Sequence, residues 1–200
     1  MSTKKKVLVT ALLIAVAAGA YKIYDVYFNY RFMTITDGKV YKSGVIPPDK
    51  IADFVKNYHI KSIVDLRGPV DADTINNPEK KSEIWAEKEA TSKIPGLNYY
   101  NIPSHQVPNK QTLNKFYKVI DNPANYPLLI HCYHGIGRAQ VYSAIYRIEK
   151  ENESNEEARS KAAFPVIFSS FDDGTPKGEF LKSYVPRKDS VKVASPSAAK

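Results

Sequence analysis

The stretch PLLIHCYHGIGRAQ, at residues 127–140, decides how the rest of the chain is interpreted. Three apolar residues follow its proline, and Cys132 comes directly after the next histidine. Gly135 and Gly137 separate this cysteine from Arg138, and apolar residues recur at helical spacing beyond the arginine. The pattern predicts a buried strand, a glycine-containing loop and a helix that begins at or near Arg138.

A loop of this kind has the geometry of an anion-binding site. Backbone N–H groups at a helix N-terminus point inward, and the helix dipole adds positive potential at the same place. In such a field the pKa of a thiol falls from about 8.5 to about 3.5–7.5. Arg138 can place two parallel donors on a phosphoryl group. The residues therefore predict a nucleophile, Cys132, aimed at a bound phosphate.

The motif HCYHGIGR, at residues 131–138, resembles the HCxxGxxR signature of the cysteine-dependent protein tyrosine phosphatases. Its context is most similar to the compact dual-specificity branch in its bacterial exported form, over roughly residues 32–164. The stretch YKSG with two prolines after it, then a helix and a strand ending in DLRG, looks like the opening of that branch. Alternating strands and helices indicate the same α/β fold, a central and mainly parallel sheet flanked by helices in a single domain.

The resemblance also implies roles for the loop residues. Cys132 attacks phosphorus to give a phosphocysteine, which water then hydrolyses. Arg138 and the loop N–H groups hold the equatorial oxygens as negative charge spreads onto them. His131 orients the nucleophile or hydrogen-bonds within the loop. The residues expected around the phosphate are Tyr133, His134, Gly135, Ile136, Gly137 and Arg138.

The loop PSHQVP, at residues 103–108, departs from the family pattern. In the resembling family this loop supplies an aspartic acid that protonates the leaving oxygen, but it contains no Asp or Glu here. His105 is its one titratable side chain and is the predicted general acid or base, because a histidine pKa lies near neutrality. The alternative is that His105 is simply a polar loop residue.

A second departure directly follows the signature arginine. Family members place Ser or Thr there to stabilise the thiolate as it leaves in the second step, whereas this chain has Ala139. Slow hydrolysis of the phosphocysteine is therefore expected. Two functions stay open. One is an exported phosphatase for phosphotyrosine, and also phosphoserine or phosphothreonine, in proteins. The other is a catalytically impaired phosphate-binding pseudophosphatase that regulates an envelope partner. The intact Cys132 and Arg138 favour the enzyme.

Other interpretations and partners are weaker. A rhodanese-like loop also begins with cysteine after a strand, but sulfurtransferase loops are typically one residue shorter. A structural thiol would not account for the accompanying glycines and arginine.

The four histidines lack ligand spacing, so no metal or cofactor is expected. Three of the charges behind the net +8 are the lysines at 4–6 and several more lie in the C-terminal tail. The remaining basic residues are interleaved with acidic ones and form no basic stripe, which argues against nucleic acid. The variable loop positions carry no Lys or Arg, which favours a substrate with a single phosphate.

Residues 1–30 are interpreted as an export signal or a membrane anchor. Lysines at 4–6 precede an apolar stretch at 7–20, which ends in the small-residue cleavage pattern Ala-Gly-Ala. Aromatic residues after it suit a membrane interface and would extend an uncleaved anchor. Either outcome places the domain outside the cytoplasm, soluble in the periplasm or anchored to the inner membrane. The single cysteine allows no internal disulfide.

The rest of the chain is predicted to form one phosphatase-like domain at residues 31–184 and a disordered tail at 185–200. Ile84 and Trp85 are expected to face the core, and Asp65 and Arg67 to serve loop hydrogen bonds. Besides the signature strand, strands are predicted at 39–43, 62–66 and 97–102, helices at 47–58, 76–93, 111–120, 139–150 and 154–163, and a loop or lid at 171–180.

Overall fold

The computed structural model describes residues 2–68, 81–163 and 169–189 of the chain. Strands and helices alternate through most of it, as the sequence predicts. The strands are β1 (Met33–Thr36), β2 (Val40–Ser43), β3 (Ser62–Asp65), β4 (Asn98–Asn101) and β5 (Leu128–His131). The helices are α1 (Thr3–Tyr27), α2 (Ile51–Asn57), α3 (Lys81–Ser92), α4 (Lys110–Asp121), α5 (Arg138–Tyr146), α6 (Asn155–Ala163) and α7 (Pro176–Lys182).

The five strands form one sheet in the order β1-β2-β5-β3-β4. Only β1 is antiparallel to its neighbour, and β2, β5, β3 and β4 run parallel. The signature strand β5 is central, so both of its faces are covered, which explains its continuous apolar sequence. The predicted α/β fold with a mainly parallel sheet is confirmed.

Alternation along the strands divides the core between the two faces of the sheet. Leu128 and Ile130 of β5 pack with Phe116 of α4 and with helix α5 on one face. Leu129 packs with Ile51 at the start of α2 on the other face. Because β2 and β3 both run parallel to β5, the carboxyl ends of the three strands meet at one edge of the sheet, where the signature loop begins.

Helix α5 is buried along its whole length, not on one face only. It contacts the sheet through β2 and β5 and is covered by α6 and α7. The helical path continues as a π-helical turn at Arg147–Glu151 and ends at Asn152, whose φ of 59° is left-handed. The predicted helix at 139–150 is thus present, and it begins at Arg138 as expected.

Three predictions about the remaining elements are wrong. Helix α2 begins at Ile51, later than the prolines that were expected to open it. Trp85 is 58% exposed, whereas Glu87 of the same helix is buried. The expected loop or lid at 171–180 includes helix α7, which is capped by the Thr175 side chain. The first residues of the helix predicted at 76–93, residues 76–80, lie outside the described residues.

The chain after α7 is held to the domain as far as the structure describes it. Arg187 donates to both carboxylate oxygens of Asp121, at 2.7 and 3.0 Å, and to Glu149 at 2.8 Å. Its guanidinium also lies over the ring of Tyr117. Arg187 is therefore fixed, in contrast to the expected disorder of the tail, and residues 190–200 lie outside the described part.

Helix α1 is long and apolar enough to cross a membrane. All of its residues are exposed or half-buried, and apolar side chains cover every side of it. After the helix the chain reverses through Tyr30 and Arg31, which both have left-handed φ values, 54° and 52°. The reversal leads directly into β1 and brings the end of α1 beside the signature loop.

Candidate active site

The signature loop, residues 132–138 and called the phosphate loop below, joins β5 to α5. Cys132 at its start is buried, and its Sγ accepts a hydrogen bond from the backbone N–H of Gly135 at 3.3 Å. Gly135 has a φ of +72°, and a Cβ there would lie 2.5 Å from the backbone nitrogen of Gly44. Only glycine fits this turn, and the turn directs a backbone donor at the thiol.

Arg138 is buried at the other end of the loop, in the first turn of α5. Its guanidinium donates to the carbonyl oxygen of Leu66 at 2.9 Å and to that of Ser104 at 3.3 Å. Tyr142, one turn along α5, donates to the Ser104 hydroxyl at 2.8 Å. These contacts fix the planar guanidinium at the end of the phosphate loop, whose first residue is Cys132.

Lys42 of β2 is a third residue of the site, and the sequence analysis did not identify it. Its side chain is buried, and Nζ donates to the Gly135 carbonyl oxygen at 3.0 Å. Burial lowers the pKa of Lys42 to about 8, while the nearby Cys132 charge acts in the opposite direction. A lysine within a parallel strand, where apolar residues are usual, was the available signal.

His131 belongs to a buried charge cluster beneath the loop, which also contains Asp65, Arg67 and Glu87. Arg67 donates to the two carboxylate oxygens of Asp65, both at 3.0 Å, and also to Glu87. The Nε2 of His131 lies 2.9 Å from a Glu87 oxygen and 3.7 Å from Asp65. Glu87 and Asp65 thus lie beside His131, and Asp65 Oδ1 also accepts the backbone N–H of Arg67 at 2.9 Å, so the expected loop hydrogen bond is present.

The charges of this cluster compensate one another electrostatically. Burial by itself raises the pKa of the Asp65 carboxyl, but His131 and Arg67 outweigh it and hold this pKa below its ordinary value. Tyr99 donates to the same carboxylate at 2.5 Å. Its own pKa is raised by burial and by the Asp65 charge.

Asp65, Glu87 and His131 also offer ligand atoms within 4.8 Å of one another, as a metal site would. The Arg67 guanidinium already donates to both carboxylates. A cation therefore occupies the place where a metal ion would bind, and we assign the cluster a positioning role.

His105, the predicted acid, is exposed on the loop beside the site. Its neighbour Gln106 is half-buried and is the residue that reaches the phosphate loop: Oε1 would lie 3.1 Å from a Cβ at Gly137. Lys177 of α7 approaches the same point, with Nζ 3.3 Å from that position. Neither Gln106 nor Lys177 was identified from the sequence, because each depends on a distant segment packing against the loop.

The other loop residues divide between the interior and the rim. The backbone oxygen of Tyr133 accepts from Val45 at 2.9 Å. The backbone oxygen of His134 accepts from the Arg31 guanidinium at 2.7 Å. Ile136 is 45% exposed at the rim. The phosphate loop is therefore anchored at both sides of its tip, with one apolar side chain facing outward.

Ala139 is fully buried in the same apolar cluster as Cys132. The nearby hydroxyl of Ser143 donates to the Ala139 carbonyl oxygen at 2.7 Å. That hydroxyl is used within the helix, so it does not replace the missing Ser or Thr side chain at position 139.

The site has a buried cysteine at the end of a central parallel strand, a loop N–H directed at its sulfur and a fixed arginine. This combination is typical of cysteine-based phosphatases of the dual-specificity and tyrosine phosphatase type. The family model described as "DSP-PTPase phosphatase fused to NAD+ Kinase" matches residues 36–172. The chain belongs to this family. A comparison with curated proteins gives no match.

Several solved structures share the fold. The core catalytic domain of the PP-IP phosphatase SIW14 from S. cerevisiae is 19% identical, with a TM-score of 0.56, over 82% of this chain and 90% of that one. P. aeruginosa TpbA, solved in complex with pTyr, is 14% identical, with a TM-score of 0.56, over 83% and 90%. A putative phosphatase from Shewanella putrefaciens is 17% identical, with a TM-score of 0.53, over 80% and 91%.

Replacing Arg67 by Met should destabilise the protein by about 3–5 kcal/mol, because Asp65 and Glu87 would be left buried without their cation. Urea unfolding followed by circular dichroism measures this loss. The matched control is Lys93→Met, which removes an exposed ion pair with Glu89 and should leave the unfolding free energy nearly unchanged. Equal effects of the two substitutions would contradict the role given to the cluster.

Replacing Lys42 by Met should slow the alkylation of Cys132 by iodoacetamide about tenfold or more at neutral pH, because a neighbouring cation favours the thiolate. The ammonium of Lys42 loses its proton as the pH rises through about 8. The difference between the native protein and the variant should therefore shrink above that pH. Lys39→Met, at an exposed residue just before β2, serves as the control. A constant rate ratio across the pH range would contradict the assignment.

Proposed function

We propose that the protein hydrolyses phosphotyrosine in proteins through a phosphocysteine intermediate. The observation that carries the proposal is the joint placement of Cys132 and Arg138. The Cys132 Sγ accepts a hydrogen bond from the Gly135 N–H. The Arg138 guanidinium, at the other end of the phosphate loop, is fixed by hydrogen bonds to the Leu66 and Ser104 carbonyl oxygens. A nucleophile and a phosphate-binding cation therefore share one small anion-binding turn.

In the first step the Cys132 thiolate attacks phosphorus, the S–P bond forms and the bond to the leaving oxygen breaks. The loop N–H groups and Arg138 hold the three equatorial oxygens as charge accumulates on them. In the second step water attacks the phosphocysteine, phosphate is released and the thiolate leaves. Lys42 supports both steps, because its Nζ fixes the Gly135 carbonyl and its charge lies near the sulfur.

The burial of the Cys132 thiol supports an aryl phosphate as the substrate. Cys132 is only 3% exposed, so a phosphate must reach it on an extended side chain. The exposed Ile136 and the half-buried Tyr133 provide apolar contacts at the rim for an aromatic ring. The TpbA structure was solved with pTyr bound, and we extend that ligand to this chain as part of the proposal. Phosphoserine and phosphothreonine are expected to be poorer substrates.

A pseudophosphatase that binds phosphate and regulates an envelope partner is the second candidate. Ala139 favours it, because the buried methyl group offers no hydrogen bond to the departing thiolate. His105, the acid predicted from the sequence, has an exposed side chain. Loss of an acid typically costs about 10²–10⁴ in rate, and aryl phosphates suffer least.

Rapid mixing with an aryl phosphate should release a burst of phenol equal in molar amount to the enzyme, followed by slow turnover. Ala139→Ser should accelerate the slow phase by about 10²-fold, because one donor to a developing charge is worth that much. Ala144→Ser, on the same helix, is the control. Cys132→Ser should remove the burst and the turnover. Phosphate or vanadate binding without any burst would establish the pseudophosphatase instead.

We propose that α1 exports the domain, either as a cleaved signal or as a retained anchor. Lysines at 4–6 precede the apolar segment, as in proteins whose N-terminus stays in the cytoplasm. The backbone oxygen of Tyr30 accepts from Gly44 at 2.7 Å, and Arg31 binds the phosphate loop. Cleavage after Ala20 would leave these contacts in place, so both outcomes are compatible with an intact site.

A reporter enzyme that is active only outside the cytoplasm, fused after Lys200, should be active. Changing the lysines at 4–6 to glutamate should lower this activity, since positive charge before the apolar segment sets its orientation. The mass of the mature chain then shows whether residues 1–20 are retained. An inactive reporter with abundant full-length fusion protein would contradict export.

A further inference from the structure

The rim of the phosphate loop carries a cation that does not come from the signature. Gly137 is the last residue before α5, and a Cβ there would lie 3.1 Å from Gln106 Oε1 and 3.3 Å from Lys177 Nζ, so both polar groups lie against the glycine. Gln106 belongs to the loop that also carries His105, and Lys177 belongs to α7. Two distant segments thus converge at one point on the loop, opposite the end at which Cys132 begins it.

Lys177 is held in this position by its own surroundings. Its Nζ donates to the Ser170 hydroxyl at 3.2 Å and lies 5.6 Å from the centre of the Phe171 ring. Phe171 is buried, and its carbonyl oxygen accepts from Arg159 at 2.7 Å. The first turn of α7 is fixed by the cap from Thr175 to the N–H of Gly178 at 3.1 Å. The ammonium therefore projects from a packed platform and not from a free surface chain.

Geometry restricts which groups can assist the leaving oxygen. In an in-line displacement this oxygen departs on the side away from the nucleophile. Because Cys132 is at the bottom of the loop, that side is the rim. The Gln106 side chain is an amide whose N–H protons are too weakly acidic to be transferred, and His105 beside it is exposed. Lys177 is the group with a transferable proton that the structure places against Gly137.

We propose that Lys177 is the proton donor to the leaving oxygen, an assignment that rests on the proposed phosphatase function. As the Cys132 sulfur bonds to phosphorus, the bond from phosphorus to the phenolic oxygen breaks. The ammonium proton of Lys177 passes to that oxygen, which leaves as a neutral phenol. The resulting amine accepts a proton from the water that attacks the phosphocysteine. Phosphate and thiolate are then released, and the ammonium is restored.

The chemistry of the two partners is well matched. A lysine ammonium has an ordinary pKa of about 10.4, and a tyrosine phenol has one of about 10. Between groups with these ordinary pKa values, proton transfer to a phenolic oxygen is nearly balanced in energy. The same cycle supplies a base to the second step, in which the chain lacks a hydroxyl at Ala139.

The test compares aryl phosphates that differ in leaving group, using the full-length chain in detergent. Lys177→Met should lower the rate of phenol release from phenyl phosphate and phosphotyrosine by about 10²–10⁴. The same substitution should barely affect dinitrophenyl phosphate, whose phenolate leaves without a proton. Lys177→Arg should not restore the rate, because a guanidinium keeps its proton. The control is Lys182→Met, on the same helix, which removes an ammonium that pairs with Asp173 and Glu179.

Each other outcome overturns the assignment without ambiguity. A loss that is equal for all leaving groups, or that Lys177→Arg restores, would make Lys177 a phosphate-binding cation only. A leaving-group-dependent loss in His105→Ala, and not in Lys177→Met, would make His105 the acid. In both cases the burst from dinitrophenyl phosphate remains. Absence of that burst in the native protein, with no effect of Cys132→Ser, would instead refute the phosphatase function itself.

Discussion

The close approach of Gly135 to the end of β2 shapes the whole site. A Cβ at this position would lie 2.5 Å from the Gly44 nitrogen and 2.7 Å from the Ser43 carbonyl carbon. The approach is possible because β2 and β5 are parallel neighbours whose ends are in register, Ser43 opposite His131. The same turn aims the Gly135 N–H at the thiol and its carbonyl at Lys42. One steric constraint thus determines the direction of the Gly135 N–H toward Cys132 and the hydrogen bond that holds the Lys42 ammonium near it.

The charge cluster beneath the loop fixes what precedes the nucleophile. A buried ion network adds little net stability compared with apolar packing of the same volume, because desolvation offsets the attraction. Its benefit here is geometric: Asp65 and Glu87 surround the His131 ring, while Arg67 neutralises both carboxylates. His131 is the residue before Cys132, so its fixed ring fixes the start of the phosphate loop. The cluster therefore connects strand β3, helix α3 and the catalytic thiol.

The strand, the phosphate loop and the start of α5 were predictable because each follows from local rules of apolar patterning and glycine spacing. The orientation of α3 was not. Amphipathic patterning places Trp85 inside, but Glu87 is buried because Arg67 and His131, distant in sequence, compensate its charge. Helix α7 carried a local signal that was missed, a capping threonine followed by proline at its first position. No local sequence signal indicates that Lys177 approaches Gly137, because the packing of α6 and α7 on α5 creates this approach.

The composition of the phosphate loop is an incomplete guide to the charge of the site. Its variable positions contain no Lys or Arg, and from this the sequence favours a substrate with one phosphate. The structure supplies cations from elsewhere: Lys42 beneath the loop and Lys177 at its rim. These two act at different places, since Lys42 is buried on the sulfur side and Lys177 is half-buried on the side of the leaving group. The Lys177 ammonium at the rim matches the charge that develops on one departing oxygen, so its position agrees with a simple phosphomonoester.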